Sequence, residues 1–133
     1  MNNPERKIIL ITGNLGYIGG VVLDHLREVE PGALLVGLDC GYFAHCLSDP
    51  SFVPEVLLQQ QQYIDVRDVD DDILTGVSAI VHLAAISNDP MGVLYQEVTN
   101  EINYLSTIDI ARRAKAAGVS AFIFASSCSM YGA

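Results

Sequence analysis

Apolar residues along the chain form short continuous runs that alternate with segments of helical spacing. Four of these runs predict strands buried on both faces, at residues 8–11, 33–38, 79–85 and 121–126. Another, shorter strand, the third in chain order, is predicted at residues 63–66, and the glutamines at 59–62 are interpreted as a surface turn before it. Runs of this length and composition favour a parallel sheet covered on both sides.

Helical patterns fill the intervals between the strands. After the first strand, a helix fading near residues 30–32 is predicted by apolar residues at i, i+3, i+4 and i+8, namely Ile18, Val21, Val22 and Leu26. A long helix is predicted from about Gln96 to Ala117, closed by Gly118 in the left-handed conformation. This alternation predicts an α/β fold, a Rossmann-type doubly wound parallel sheet in the order 3-2-1-4-5.

Glycines mark the junction between the first strand and the first helix. Gly13 permits the sharp turn, Gly16 has no Cβ to keep a diphosphate from the backbone, and Gly19 lets the helix pack closely on the sheet. The helix N-terminus then presents backbone N–H groups to the anion. The predicted diphosphate loop also includes the residues between the glycines: Asn14, Leu15, Tyr17 and Ile18.

An aspartate at the end of the second strand extends this pattern to a dinucleotide site. Asp39 lies twenty residues after Gly19, where a carboxylate can accept hydrogen bonds from the adenosine ribose. The same carboxylate would repel a ribose 2′-phosphate, and residues 40–50 contain no lysine or arginine to bind one. The sequence therefore favours NAD over NADP.

Composition and charge argue against several other classes of protein. With 133 residues, half of them hydrophobic, the chain is expected to form one globular NAD-binding domain, residues 1–133. A formal net charge of −9 with only seven lysines and arginines argues against partners such as nucleic acid or an anionic membrane. No run has transmembrane length, and no secretory leader is expected. Three cysteines without metal-ligand spacing favour a reduced, cytoplasmic protein.

The clustered aspartates at residues 65–72 raise the question of a calcium site. The segment lacks the glycine that a calcium loop needs at its sixth position, and Gly76 stands where the bidentate glutamate belongs. Acidic residues are instead favoured in the first turn of a short helix, where they complement its dipole. We therefore predict no metal site.

Six motifs follow one another in order along nearly the whole chain: Gly13-x-x-Gly16-x-x-Gly19, Asp39, Asp65-Val66, His82-Leu-Ala-Ala85, Asn103-x-x-x-Thr107 and Ser126-Ser-Cys-Ser-Met-Tyr-Gly132. Through them the chain resembles the extended short-chain dehydrogenase/reductase family, in particular its NAD-dependent sugar-nucleotide epimerases and dehydratases. In such enzymes the C4 hydroxyl of the sugar is oxidised by hydride transfer to NAD⁺. The resemblance therefore implies a nucleotide-sugar substrate for the intact enzyme.

The resemblance also implies roles for individual residues. Asp65 and Val66 would contact the adenine. Ser127 corresponds to the family's catalytic serine, which hydrogen-bonds the reacting sugar oxygen, and Asn103 to the helix asparagine that supports the active site. The dinucleotide would be lined, after the fourth strand, by Leu83, Ala84 and Ala85.

The chain departs from the family pattern at the catalytic acid/base. The family's Tyr-x-x-x-Lys does not occur in the sequence, nor does a region that matches the C-terminal strands and substrate domain. We interpret these 133 residues as the cofactor half of an enzyme and expect no turnover from them alone. A non-catalytic NAD-binding module or partner-binding protein stays open as the alternative. A carbonyl reductase of this fold is disfavoured, because it would favour NADPH and a basic residue after the second strand.

Simpler structural roles compete with several of these assignments. His82 is predicted to be a hydrogen-bonded structural imidazole rather than a catalytic base. Ser127 could satisfy a turn, and Asn103 could bond only backbone or water. Cys128 and Tyr131 are predicted to serve packing rather than chemistry.

Apolar surface on the last two predicted elements indicates self-association. The fifth strand is continuously apolar, and strands of this kind pair edge to edge when uncovered. The long helix carries Val98, Ile102 and Leu105 along one stripe. We therefore predict a homodimer or an edge-paired oligomer.

Overall fold

The computed structural model of the chain describes residues 6–44, 53–87 and 89–127. The predictions for Cys128 and Tyr131 fall outside these ranges, as does Cys46, another of the three cysteines. The helices and strands are β1 Ile8–Thr12, α1 Gly19–Val29, β2 Leu34–Leu38, β3 Gln60–Gln62, α2 Asp71–Leu74, β4 Ala79–His82, α3 Asp89–Leu94, α4 Gln96–Asn100, α5 Ser106–Ala116 and β5 Ala121–Phe124. Short 3₁₀ turns lie at Pro54–Leu57 and Val66–Asp68, and a π-helical turn at Glu101–Leu105 joins α4 to α5.

β1 lies at the centre of a parallel sheet ordered β3-β2-β1-β4-β5, which confirms the predicted fold class and strand order. At its last residue, Thr12 pairs with Leu38 of β2 and with His82 of β4. His82 in turn pairs with Phe124 of β5. Four strands thus end at one edge of the sheet, and the residues that follow them meet there.

The sheet is covered on both faces, as the apolar strands predict. Leu10 and Ile11 of β1 point to opposite faces and are both fully buried. One face packs against α2 and α5 in a cluster that includes Leu10, Leu38, Leu74, Ile80, Ile110 and Ala114. The other packs against α1 and the first 3₁₀ turn in a cluster that includes Ile9, Ile11, Leu23, Leu35 and Leu57.

The third strand lies three residues earlier than predicted. Gln60–Gln62, interpreted from the sequence as part of a turn, forms β3 and pairs in parallel with Val36–Leu38. Residues 63–65 are irregular, and Val66 begins a 3₁₀ turn instead of ending a strand. The glutamine side chains override their low strand propensity because Gln61 hydrogen-bonds Asn14 across Gly37 and Gln59 bonds the backbone of Leu35.

Strands β4 and β5 are shorter than predicted. β4 ends at His82 instead of residue 85, because the backbone beyond it bonds side chains: Ala84 N–H donates to the Thr12 hydroxyl, and Ile86 bonds the Asn103 amide. β5 ends at Phe124 instead of residue 126. β2 begins at Leu34, one residue later than predicted.

The predicted long helix is confirmed as one run, residues 96–116, interrupted by the π-helical turn. Gly118 follows it with φ +83°, the left-handed conformation expected of its C-terminal residue. Of the predicted apolar stripe, Ile102 packs against the core, whereas Leu105 is exposed. Ile123 and Phe124 of β5 are half exposed. Association through these surfaces stays a prediction.

None of the helices described is both long and apolar enough to cross a membrane.

Candidate functional site

The candidate site lies where β2, β1 and β4 end side by side. Gly13 N–H donates to the carbonyl of Leu38 at 2.8 Å, so the loop after β1 stays hydrogen-bonded to β2. Leu83 N–H donates to the carbonyl of Thr12 at 3.0 Å, so the loop after β4 stays bonded to β1. These bonds bring the glycine loop, Asp39 and the segment after His82 to one edge, where open α/β sheets bind ligands.

Gly13 and Gly19 are required by the packing of the backbone. Gly13 has φ +73°, and a Cβ there would lie 2.6 Å from the backbone nitrogen of Ala84. A Cβ at Gly19 would overlap the backbone of Asn14. The first glycine therefore lets the β1 and β4 loops touch, and the last lets α1 start directly beneath the loop.

Gly16 differs from the other two glycines because the space in front of it is open. Among the described residues, a Cβ at Gly16 would meet only the carbonyl oxygen of Gly13, at 3.2 Å. Beyond it, Tyr17 and Ile18 are 71% and 57% exposed. The first turn of α1 carries no acidic residue, and the side chain of Ile18 at its N-cap makes no capping bond. The loop thus leaves room and a positive helix end for an anion.

Asn14 and Leu15 turn their side chains inward, so they would meet a cofactor through their backbone. Asn14 is fully buried, and its Nδ2 donates to Oε1 of Gln61 at 2.7 Å. That pair lies over Gly37, where a Cβ would come within 2.5 Å of both side chains. The side chain of Leu15 is 1% exposed. These buried side chains therefore hold the loop against β2 and β3.

Asp39 joins the glycine loop to the end of β2. Its Oδ2 accepts Leu15 N–H at 3.1 Å, and its Oδ1 accepts Gly41 N–H at 2.7 Å. Each carboxylate oxygen has a further lone pair, so the group retains capacity to accept hydroxyl hydrogens. The ribose contact itself stays a prediction.

The carboxylate of Asp65 is hydrogen-bonded to a neighbouring arginine. Its carboxylate accepts the backbone N–H, Nε and Nη2 of Arg67, at 2.9, 3.0 and 2.8 Å. These hydrogen bonds lower the pKa of Asp65, so it is ionised at neutral pH. Arg67 also contacts Glu101 on the π-helical turn at 2.8 Å. Val66 is buried in the core, so only its backbone remains for the predicted adenine contact.

Asn103 holds the loop that follows β4. Its Oδ1 accepts Ile86 N–H and its Nδ2 donates to the Ile86 carbonyl, both at 2.8 Å. Of the three dinucleotide-lining residues predicted here, Leu83 and Ala84 are partly buried and Ala85 is exposed. Asn103 therefore acts on this segment by binding its backbone, one of the roles weighed from the sequence. Ser127 lies exposed beyond β5 at the same end of the sheet.

His82 is a buried, hydrogen-bonded imidazole, which confirms the structural role predicted for it. Its Nδ1 lies 2.8 Å from the Thr12 hydroxyl and its Nε2 lies 2.9 Å from the Thr107 hydroxyl. Phe122 and Phe124 flank the ring at centroid distances of 5.6 and 6.2 Å. Burial lowers the pKa of His82 to about 4, so the ring is neutral at neutral pH.

Two further aspartates of the segment 65–72 are engaged by other groups of the protein. Asp70 caps α2 by accepting Ile73 N–H, and Asp71 pairs with Arg113 at 2.7 Å. Across residues 6–44, 53–87 and 89–127, no group of three or more acidic, histidine or cysteine side chains is placed to hold a metal ion.

Sequence reasoning missed the polar groups that fix the site from behind. Thr12 and Gln61 carried no motif signal, although Thr12 directly precedes Gly13 at the strand end. Thr107 was part of a motif, and its spacing from Asn103 places its hydroxyl near that residue's carbonyl, at 3.0 Å. Its second partner, His82, is distant in the sequence and could not be found from spacing.

The chain matches one protein family over most of its length. The model of the NAD dependent epimerase/dehydratase family matches residues 9–133. A UDP-glucose 4-epimerase from Streptomyces lividans is 30% identical over 129 residues, which cover 92% of this chain and 36% of that protein.

Solved structures share the fold. A UDP-N-acetylglucosamine 4-epimerase from Methanobrevibacter ruminantium M1, in complex with UDP-N-acetylmuramic acid, is 25% identical with a TM-score of 0.79, over 96% of this chain and 40% of that one. MoeE5 in complex with UDP-glucose and NAD is 25% identical with a TM-score of 0.72, over 93% of this chain and 38% of that one. The chain thus spans between 36% and 40% of these relatives.

Proposed function

Because this chain belongs to the NAD dependent epimerase/dehydratase family, we propose that it forms the NAD-binding part of an enzyme that acts on nucleotide sugars. Relatives of similar fold support both ligands, since MoeE5 was solved with UDP-glucose and NAD. The geometry at the ends of β1, β2 and β4 fits the cofactor, because an open glycine loop, a helix N-terminus and a carboxylate lie together.

On the adenosine side, each proposed contact has a group that can make it. The diphosphate would lie on the backbone in front of Gly16, at the start of α1. Asp39 would accept the ribose hydroxyls with its remaining lone pairs. Asp65 and the backbone of Val66 would contact the adenine. The carboxylate at Asp39, with no lysine or arginine in residues 40–50, favours NAD over NADP.

On the sugar side, this chain supplies supporting groups rather than a complete set. NAD⁺ bound here would supply a hydride acceptor for oxidation of the sugar C4 hydroxyl. Ser127 would hydrogen-bond the reacting sugar oxygen, and Asn103 would hold the loop after β4 in place. The acid/base tyrosine of the family has no counterpart in the printed sequence.

One observation carries the proposal: Gly13 and Gly19 are closed in by backbone, whereas a Cβ at Gly16 would meet only the carbonyl oxygen of Gly13, at 3.2 Å. A methyl group at Gly16 would occupy the room left for a diphosphate and would require only a small shift of that carbonyl oxygen. Gly16→Ala is therefore expected to weaken NAD binding about tenfold or more, measured by calorimetry.

The matched control is Gly32→Ala, where a Cβ meets nothing within 4 Å. That variant should bind NAD as the wild-type chain does. Equal NAD affinity in Gly16→Ala and Gly32→Ala, or a wild-type chain that does not bind NAD, would contradict the proposal.

A further inference from the structure

The hydrogen bonds around His82 have a single consistent direction. The Thr107 hydroxyl donates its one hydrogen to the carbonyl of Asn103 at 3.0 Å, because a carbonyl only accepts. The assignment that satisfies both contacts has the Thr107 oxygen accept from His82, which places the imidazole hydrogen on Nε2. A neutral imidazole has one N–H, which leaves Nδ1 bare.

The other ring nitrogen, Nδ1, continues this series of hydrogen bonds. With Nδ1 bare, the Thr12 hydroxyl donates to it at 2.8 Å. The Thr12 oxygen accepts Ala84 N–H at 3.3 Å. Four hydrogen bonds therefore run in one direction, from the amide of Ala84 through Thr12, His82 and Thr107 to the carbonyl of Asn103.

The two ends of this series of hydrogen bonds hold the segment that borders the glycine loop. Ala84 is held at one end by Thr12, and Ile86 is held at the other by the Asn103 amide. Ala84 also lies against Gly13, where a Cβ would come within 2.6 Å of its nitrogen. The position of the β4 loop, and hence of the glycine loop beside it, depends on groups joined through one imidazole.

We propose that His82 is a positioning residue of the dinucleotide site: as the neutral Nε2–H tautomer, it ties the ends of β1 and β4 to the long helix and so fixes the segment 83–86 against the glycine loop. This inference rests on the proposed NAD-binding function. His82 itself is buried behind the site, so it acts through Thr12, Thr107 and the loops that they hold.

The long helix provides a matched pair of variants to test this role. Thr107→Val removes the hydroxyl that joins His82 to Asn103 and keeps the shape of the side chain. Ser106→Ala removes a neighbouring buried hydroxyl that also donates to a carbonyl four residues earlier, that of Ile102 at 2.6 Å, but does not contact His82.

Thr107→Val is expected to raise the Kd for NAD about three- to tenfold, the loss of one or two net hydrogen bonds, whereas Ser106→Ala should leave it unchanged. His82→Leu should match Thr107→Val. His82→Gln should restore most of the affinity, because its amide can accept from Thr12 and donate to Thr107. Equal Kd values for Thr107→Val and Ser106→Ala, or no recovery in His82→Gln, would overturn the inference.

Two measurements without NAD separate this inference from the proposed function. Nitrogen NMR of the wild-type imidazole should show Nε2 protonated and Nδ1 bare. Hydrogen exchange at the amides of Ala84 and Ile86 should be faster in Thr107→Val than in Ser106→Ala. A wild-type chain that fails to bind NAD would refute the function, and these two measurements would still decide whether His82 holds the segment. The Nδ1–H tautomer, or equal hydrogen exchange in both variants, would refute the inference that His82 holds this segment.

Discussion

On the β1–α1 side of the candidate site, the decisive positions lack side chains, whereas on the β4–α5 side they carry hydroxyl, imidazole and amide groups. Gly13 and Gly19 bring backbone segments into contact at distances that no Cβ would allow. His82 and Asn103 instead hold the β4 loop through directional hydrogen bonds. The first side depends on close backbone contact at two glycines, and the second depends on a protonation state and on a series of side-chain hydrogen bonds.

This difference determines how strongly substitutions on each side should destabilise the fold. An added methyl group in a closed backbone contact forces the structure apart, since backbone cannot move aside as a flexible side chain does. A lost hydrogen bond costs less and leaves the fold in place.

Gly19→Ala is expected to lower the free energy of unfolding by about 3 kcal/mol or more, because its Cβ would overlap the backbone of Asn14. Urea denaturation measures the change. Gly32→Ala, a glycine-to-alanine change in open space, should stay within about 0.5 kcal/mol of wild type. Similar unfolding midpoints for the two variants would show that backbone contact does not shape this side.

Acid should weaken the β4–α5 side specifically. The folded-state pKa of His82, about 4, lies below the ordinary value of 6.5, so the unfolded chain binds its proton first as the pH falls. The stability contributed by the neutral ring is complete above pH 6.5 and is lost progressively toward pH 4, by roughly 3 kcal/mol. Denaturation curves recorded across this window measure the loss.

The control compares two histidines. His82→Gln should flatten the pH dependence between 6.5 and 4, whereas His25→Gln, at an exposed position of α1, should leave it as in wild type. An unchanged slope in His82→Gln would mean that other groups cause the acid sensitivity.

Asn103→Ala should destabilise the chain by about 2 kcal/mol, because it removes both hydrogen bonds to the backbone of Ile86. Asn100→Ala, an exposed position on α4, serves as the comparison and should change stability by less than about 0.5 kcal/mol. If the two substitutions had equal effects, the loop would be held by something other than the amide.

The ion pair between Arg67 and Glu101 should matter least. It joins the predicted adenine-side residue Asp65 to the π-helical turn, but both partners are well exposed, at 38% and 42% of their side-chain surface. Glu101→Gln should therefore change the free energy of unfolding by less than about 1 kcal/mol in denaturation experiments. A larger loss would show that the two sides of the site are coupled through this pair.

The arrangement of the β1–α1 side was predicted well from the sequence, because the signals for it are local. Glycine spacing, the strand before it and Asp39 after the next strand all lie within one βαβ unit, and the structure brings them to one edge. The strand order followed from alternation and right-handed crossovers. The position of the third strand was wrong because Gln61 within it is held by Asn14, and Gln59 just before it by Arg27, contacts that no propensity records.

The β4–α5 side was predicted only in part, because its hydrogen bonds join residues that are far apart in the sequence. Asn103 was identified from its motif, but its partner Ile86 lies just beyond the residues that the apolar pattern assigned to the fourth strand, so nothing in the pattern linked the two. Thr12, His82 and Thr107 come from three separate elements, so only the folded chain shows that they form one line of hydrogen bonds.

The central claim is that Asp39 and the glycine loop form a site for NAD, and cofactor preference at Asp39 tests it most directly. Calorimetry should show the wild-type chain binding NAD at least about tenfold more tightly than NADP, because the carboxylate repels a 2′-phosphate. Asp39→Ala should weaken NAD binding by about 1–3 kcal/mol, and Asp39→Asn, which removes the charge and replaces one accepting oxygen with an NH₂ donor, should narrow the preference for NAD over NADP. Wild type that prefers NADP, or NAD affinity unchanged in Asp39→Ala, would contradict the account.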